Sequence, residues 1–225
     1  MKNFQSLKGK TVAISGATGG IGRELVFILA SLGANLILLD RNIEKSKKLR
    51  LELKEKFGIE SESIILDLEE IETVKQAAKS LKEKGIDYLI LNAGAYAIKR
   101  HKCSTGFDNV FQINFISPYY LARSLKPLIE ERKGRVIAVS SIAHNYSKID
   151  EKDIDFSGYK AASKAYGNAK RFLTFSLFGL FKDSESLSIV HPGITFTNIT
   201  AHYRKDIFGR IKYPMKVVFM EPDKA

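Results

Sequence analysis

A chain of 225 residues, 44% apolar and 27% charged, is long enough for one sizeable α/β core, too short for two ordinary domains and too apolar to be disordered throughout. Lys and Arg outnumber Asp and Glu by 11, yet the densest basic stretch, Arg41 to Lys56, interleaves acids with Leu49, Leu53 and Phe57 at helical spacing. That is the solvated face of an amphipathic helix, and with no nucleic-acid-binding signature beside it, charge alone is the only argument for nucleic acid. Cys103 is the single cysteine, which excludes a disulfide framework and a Cys-rich metal site. No apolar run reaches signal-peptide or membrane-span length, so the expectation is a cytoplasmic protein without a membrane span.

Along the chain, short apolar runs alternate with helix-length periodic segments. The strand candidates are Thr11 to Ser15, Asn35 to Leu39, Ser63 to Leu66, Tyr88 to Leu91, Arg135 to Ser140 and Ser188 to His191. Helical periodicity covers roughly 21–32, 43–57, 70–84, 107–131 and 160–182. Continuous apolar runs suit strands buried on both faces of a parallel sheet, and repeated βαβ order predicts an α/β, doubly wound, Rossmann-type domain with six strands. Ligands of such a sheet bind beyond the carboxyl ends of its strands, so the chemistry is sought there.

The first strand runs into Ser15-Gly16-Ala17-Thr18-Gly19-Gly20-Ile21-Gly22, and a helix follows at once. Glycines 16, 20 and 22, with Ile21, permit a tight turn and let backbone N–H groups and the helix start approach a pyrophosphate. Asp40, closing the second strand about twenty residues on, is placed to accept hydrogen bonds from an adenosine ribose and to repel a 2′-phosphate. The alternative is a residue that ends the strand and caps the next helix. Arg41 argues the other way, since a cation attracts that phosphate. Gly19 offers no side chain to the phosphate, so NAD is expected over NADP. Asp67 and Leu68 after the third strand, and Asn92, Ala93 and Gly94 after the fourth, stand at further strand ends on the same side.

These motifs, with Asn114 in QINF, Ser140-Ser141, a Tyr-x-x-x-Lys pair and Pro192-Gly193, resemble the short-chain dehydrogenase/reductase family over essentially the whole chain. The HPG of His191 to Gly193 and the 25-residue step from Ser141 to Tyr166 resemble its retinol-dehydrogenase-like subgroup. Two tyrosines compete for the motif. From Tyr159 to Lys164 is five residues, which turns the side chains about 140° apart on a helix, whereas Tyr166 and Lys170 share one face. Tyr166 and Lys170 are therefore the expected pair, and Tyr159 a loop or pocket residue.

The resemblance implies that Tyr166 is the acid/base, that Lys170 lowers its pKa and binds the nicotinamide ribose, that Ser141 holds the substrate oxygen, and that Asn114 helps hold a proton-relaying water chain. It assigns Pro192, Gly193, Ile194 and Thr197 to the nicotinamide end, and 195–208 to an apolar lid. His101, His144, His191 and His202 lack metal-ligand spacing, so no metal is expected. The implied reaction is NAD(P)-dependent interconversion of an alcohol and its aldehyde or ketone, on a small apolar substrate. The alternative is a non-catalytic dinucleotide-binding regulator or scaffold. The resemblance implies a homodimer or homotetramer, and family members usually continue through a further helix and a seventh strand. This chain stops at Glu221 to Ala225, where that helix is expected, so residues 1–225 are read as one Rossmann domain without that last part.

Overall fold

The computed structural model describes residues 5–193. Six parallel strands form one sheet: β1 Thr11–Ser15, β2 Asn35–Asp40, β3 Ser61–Ile65, β4 Tyr88–Leu91, β5 Arg135–Val139 and β6 Leu187–Val190, in the order β3-β2-β1-β4-β5-β6. Chain order reverses between β1 and β4, and the groove at that switch is where a doubly wound sheet receives ligands. Val12 pairs with Leu36 of β2 on one side and Tyr88 of β4 on the other. The strand ends differ from the sequence boundaries by at most two residues, within the usual scatter of helix and strand termini.

Successive strand residues point to opposite faces and build two cores. Val12, Ile14, Leu36 and Leu38 pack on helices α1 (Gly20–Ser31) and α2 (Ile43–Phe57). Ala13, Ile37, Leu89 and Val136 pack on α3 (Ile71–Lys84), α5 (Ser117–Glu131) and α6 (Ala162–Leu180). Helix α2 keeps the amphipathic reading: Leu49 and Leu53 are buried, Asn42 caps its start through Lys45 N–H, and Gly58 ends it in the left-handed conformation.

The periodic segment 107–131 is not one helix. A short α4 (Asn109–Phe111) passes into a π turn, Gln112–Ile116, before α5 begins. Pro118 sits in the first turn of α5 and has no N–H for the preceding ladder, and single π turns of this kind favour functional sites. Residues Ile142–Tyr146 form a 3₁₀ turn that opens the long connection to α6. Among the described residues no helix is long and apolar enough to cross a membrane.

Candidate active site

A cavity of about 700 Å³ lies along the carboxyl ends of the strands, and its wall runs from Asp40 and Asp67 at one end to Ser141, Tyr166 and His191 at the other. The glycine loop forms its middle. A Cβ on Gly22 would overlap the Gly16 carbonyl oxygen, so α1 can start hard against the loop only with glycine there. The N-cap of α1 is Gly19, which supplies no side-chain acceptor and leaves the first-turn N–H groups for an anion. Gly16, Gly20, Ile21 and Gly22 all line the cavity. This cradle fits a dinucleotide pyrophosphate.

Beneath the loop, Ser15 and Asn92 tie β1 to β4. The Ser15 hydroxyl accepts from the N–H groups of Asn92 and Ala93 at 3.0 and 3.1 Å, and Asn92 Nδ2 donates to the carbonyls of Ser15 and Gly16. Asn92, Ala93 and Gly94 form part of the cavity wall, as do Asp67 and the buried Leu68. The Asp67 carboxylate accepts from Glu69 N–H, which shapes the turn after β3.

Asp40 behaves differently from a freely presented ribose acceptor. It is 4% exposed, and one oxygen accepts from Thr18 N–H and Thr18 Oγ1 while the other accepts from Ser46 Oγ. Burial raises its pKa above the usual aspartate value, opposed by the Thr18 and Ser46 hydrogen bonds. It therefore braces the glycine loop against α2, and only part of its accepting capacity is left for a ribose. It is not the helix cap, which is Asn42. Arg41 beside it is 70% exposed and makes a long ion pair, Nη1 to Glu69 Oε1 at 3.9 Å.

At the other end, β5 delivers Ser141 and α6 delivers Tyr166 and Lys170. The Ser141 hydroxyl accepts from Ala143 N–H at 3.3 Å and hydrogen-bonds the Tyr166 phenol. Burial pushes that phenol up to about 12, against the Ser141 hydrogen bond. Lys170 is buried, donates to the Val139 carbonyl at 2.9 Å and stands 5.7 Å from the Tyr166 ring centroid; burial lowers its pKa to about 8. The four-residue step brings the pair into the cavity beside Ser141, Pro192 and Gly193.

Asn114 does not line the cavity. It is fully buried in the π turn, its amide nitrogen donates to Ala95 O and Val110 O at 2.8 Å, and its oxygen accepts from Ala95 N–H. It holds the loop that carries Tyr96. Tyr159 stays in the long connection outside the cavity, stacked on Phe156 with its hydroxyl donating to Asp150. Ile194, Thr197, the 195–208 lid and His202 lie outside the described residues.

Several site residues had no sequence signal. Tyr96 packs edge-on to Tyr166 with ring centroids 5.1 Å apart, and nothing in its spacing marks it. Arg100 donates to Asp108 and to the carbonyls of Tyr159 and Phe156, anchoring the connection that precedes Tyr166. Thr18 and Ser46 meet at Asp40 only because the glycine loop and α2 converge there.

Comparison with known proteins agrees with this geometry. The family model described as short chain dehydrogenase matches residues 10–207. A short-chain dehydrogenase/reductase, prx1, from Penicillium rubens is 33% identical over 174 residues, 74% of this chain and 51% of that protein. Human retinol dehydrogenase 11 is 29% identical over 87% of this chain and 64% of its own length. The chain thus spans about half to two thirds of the length of these relatives. Among solved structures, a short-chain dehydrogenase from Sphingobium yanoikuyae in complex with NADPH superposes with a TM-score of 0.75, at 23% identity over 96% of this chain and 80% of that one. An L-sorbose reductase from Gluconobacter frateurii, complexed with NADPH and L-sorbose, gives 0.76 at 20% identity over 98% and 88%. At those identities the likeness is one of fold.

Proposed function

The chain belongs to the short-chain dehydrogenase family, and from that premise we propose that it interconverts an alcohol and its aldehyde or ketone with a nicotinamide dinucleotide held in this cavity. The observation that carries the reading is the convergence of Ser141, Tyr166 and Lys170 at one end of a cavity whose middle is an uncapped helix start behind a glycine loop. The bound dinucleotide supplies the hydride chemistry, giving a hydride to the carbonyl or taking one from the alcohol.

The side chains supply the rest. Ser141 donates to the substrate oxygen and keeps it beside Tyr166, a positioned donor in a half-buried site. Tyr166 gives its proton to the developing alkoxide in reduction and takes it back in oxidation. Lys170 binds the nicotinamide ribose, and its charge stabilises phenolate in the reverse reaction. Asn114 enters a proton relay only through water, because its own amide is taken by Ala95 and Val110. Tyr96, Ile98 and Ile142 give the wall near Tyr166 an apolar character suited to a small apolar carbonyl.

NAD is the cofactor we assign, on the Asp40 charge at the adenosine end, which repels a 2′-phosphate. One observation favours NADP instead: Asp40 is committed to Thr18 and Ser46, while Arg41 and Lys45 stand at the cavity wall. Dissociation constants for NADH and NADPH, with wild type and Asp40→Asn, separate the two. A clear wild-type preference for NADPH overturns the assignment to NAD.

Activity is tested by following oxidation of each reduced dinucleotide against a panel of aldehydes and ketones. Tyr166→Phe is expected to abolish turnover by about 10²-fold or more while dinucleotide still binds, and Tyr159→Phe to leave turnover intact. The reverse result would move the acid/base to Tyr159. Binding of dinucleotide without turnover on any panel member would favour the regulatory reading.

A further inference from the structure

We infer that Glu69, His101 and Cys103 form a binding site for a divalent cation of the zinc class at the rim of the cavity. One ligand atom from each of the three lies within 4.8 Å of the others. Glu69 comes from the turn after β3. His101 and Cys103 come from the segment between β4 and α4, and that segment is well braced. A bridge pairs Lys102 with Asp108, Cys103 N–H donates to Phe107 O, Gly106 N–H donates to Cys103 O, and Asn109 N–H donates to His101 O. The three side chains are therefore offered from fixed backbone.

The donor set decides the class of ion. Thiolate, imidazole and carboxylate are the ligands zinc takes, and three protein ligands leave a fourth position for water. Magnesium and calcium prefer all-oxygen shells and are poorly served by a sulfur and a nitrogen.

His101 Nε2 lies 3.0 Å from Glu69 Oε2, and its Nδ1 lies 3.1 Å from Asn109 Nδ2, so the ring proton sits on Nε2 and bridges to Glu69. The Asn109 amide is itself fixed, its oxygen accepting from His101 N–H and its nitrogen donating to Lys99 O, so the imidazole is held facing Glu69. The spacing of His101 and Cys103 alone has no metal-ligand pattern, because the third ligand arrives through the fold.

The test uses the full chain, reduced, titrated with Co²⁺ and followed by absorption. The expected result is a thiolate-to-cobalt charge-transfer band that saturates at a single equivalent and is displaced by Zn²⁺. Cys103→Ser should lose the band, and His101→Ala should bind at least about tenfold more weakly, with unchanged circular dichroism in both. The wild-type spectrum decides even where a variant misfolds: no thiolate band overturns the proposal. So does equal Co²⁺ affinity in wild type and folded His101→Ala.

Discussion

Lys170 is 3% exposed with its ammonium given to the Val139 carbonyl, and burial lowers its pKa from 10.5 to about 8. A lysine whose folded pKa is depressed holds fewer protons folded than unfolded between those values, so stability rises with pH across that window. Below about 8 the full penalty of a buried ammonium is present. Lys170→Met is therefore expected to raise the free energy of urea unfolding in neutral solution, by up to about 3 kcal/mol, and the gain should shrink near pH 10. Lower stability of Lys170→Met at neutral pH would mean that the Val139 hydrogen bond outweighs desolvation. The same variant should lose turnover. That Tyr166, rather than Tyr159, shares a helix face with its lysine was legible in the chain, because helix geometry is local. The commitment of Asp40 was not, because its donors come from a loop and a helix that meet only in the folded protein.

Helix α6 approaches the 3₁₀ turn 142–146 so closely that a Cβ on Gly167 would lie 2.5 Å from both Ala143 O and Ser147 Oγ. Ser141 caps that turn, so the glycine governs how the substrate donor stands to Tyr166 on the preceding helical residue. Gly167→Ala is expected to cost about 1–3 kcal/mol by overpacking. It should also lower kcat by about tenfold or more, since a small misplacement at a reacting centre is felt strongly. Dinucleotide affinity should hold, because the glycine loop is on another element. Steady-state kinetics with a binding titration checks this, and an unchanged kcat would remove Gly167 from the placement of Ser141. Nothing in the spacing marks Gly167 as a contact glycine. The π turn at Asn114 was hidden for a related reason. Its apolar periodicity continues through 107–131, while the change of ladder depends on Pro118 and on an Asn114 amide that bonds Ala95 across the loop. The strands were the most legible elements, since a parallel sheet buried on both faces demands unbroken apolar runs.

Across the whole molecule the two ends of the sheet carry opposite electrostatic strategies. At the carboxyl ends, burial shifts Asp40 up, Tyr166 up and Lys170 down, each toward its neutral form. At the amino ends, Asp87 is buried too, yet it accepts from Thr11 N–H at 2.8 Å, from Lys10 at 3.3 Å and from Arg132 at 3.2 Å. Desolvation alone would raise its pKa, but the Thr11, Arg132 and Lys10 partners win and it is lowered below 3.8. Asp87 thereby fastens β1 to the turn that leads into β5, far from any reacting group. A carboxylate with a depressed folded pKa contributes stability that is fully present above the unfolded value and is lost as pH falls through the folded one. Asp87→Asn is expected to cost about 1–2 kcal/mol in neutral solution, because it takes the charge away from hydrogen bonds to the partly exposed Lys10 and Arg132 side chains. The difference from wild type should narrow as the pH drops below about 3.9, the unfolded aspartate value. Urea unfolding of both proteins at neutral and acid pH measures this directly, and a gap that stays constant with pH would show that packing, not charge, is what Asp87 contributes. Turnover should be unchanged under native conditions, since Asp87 acts at the end of the sheet remote from the cavity.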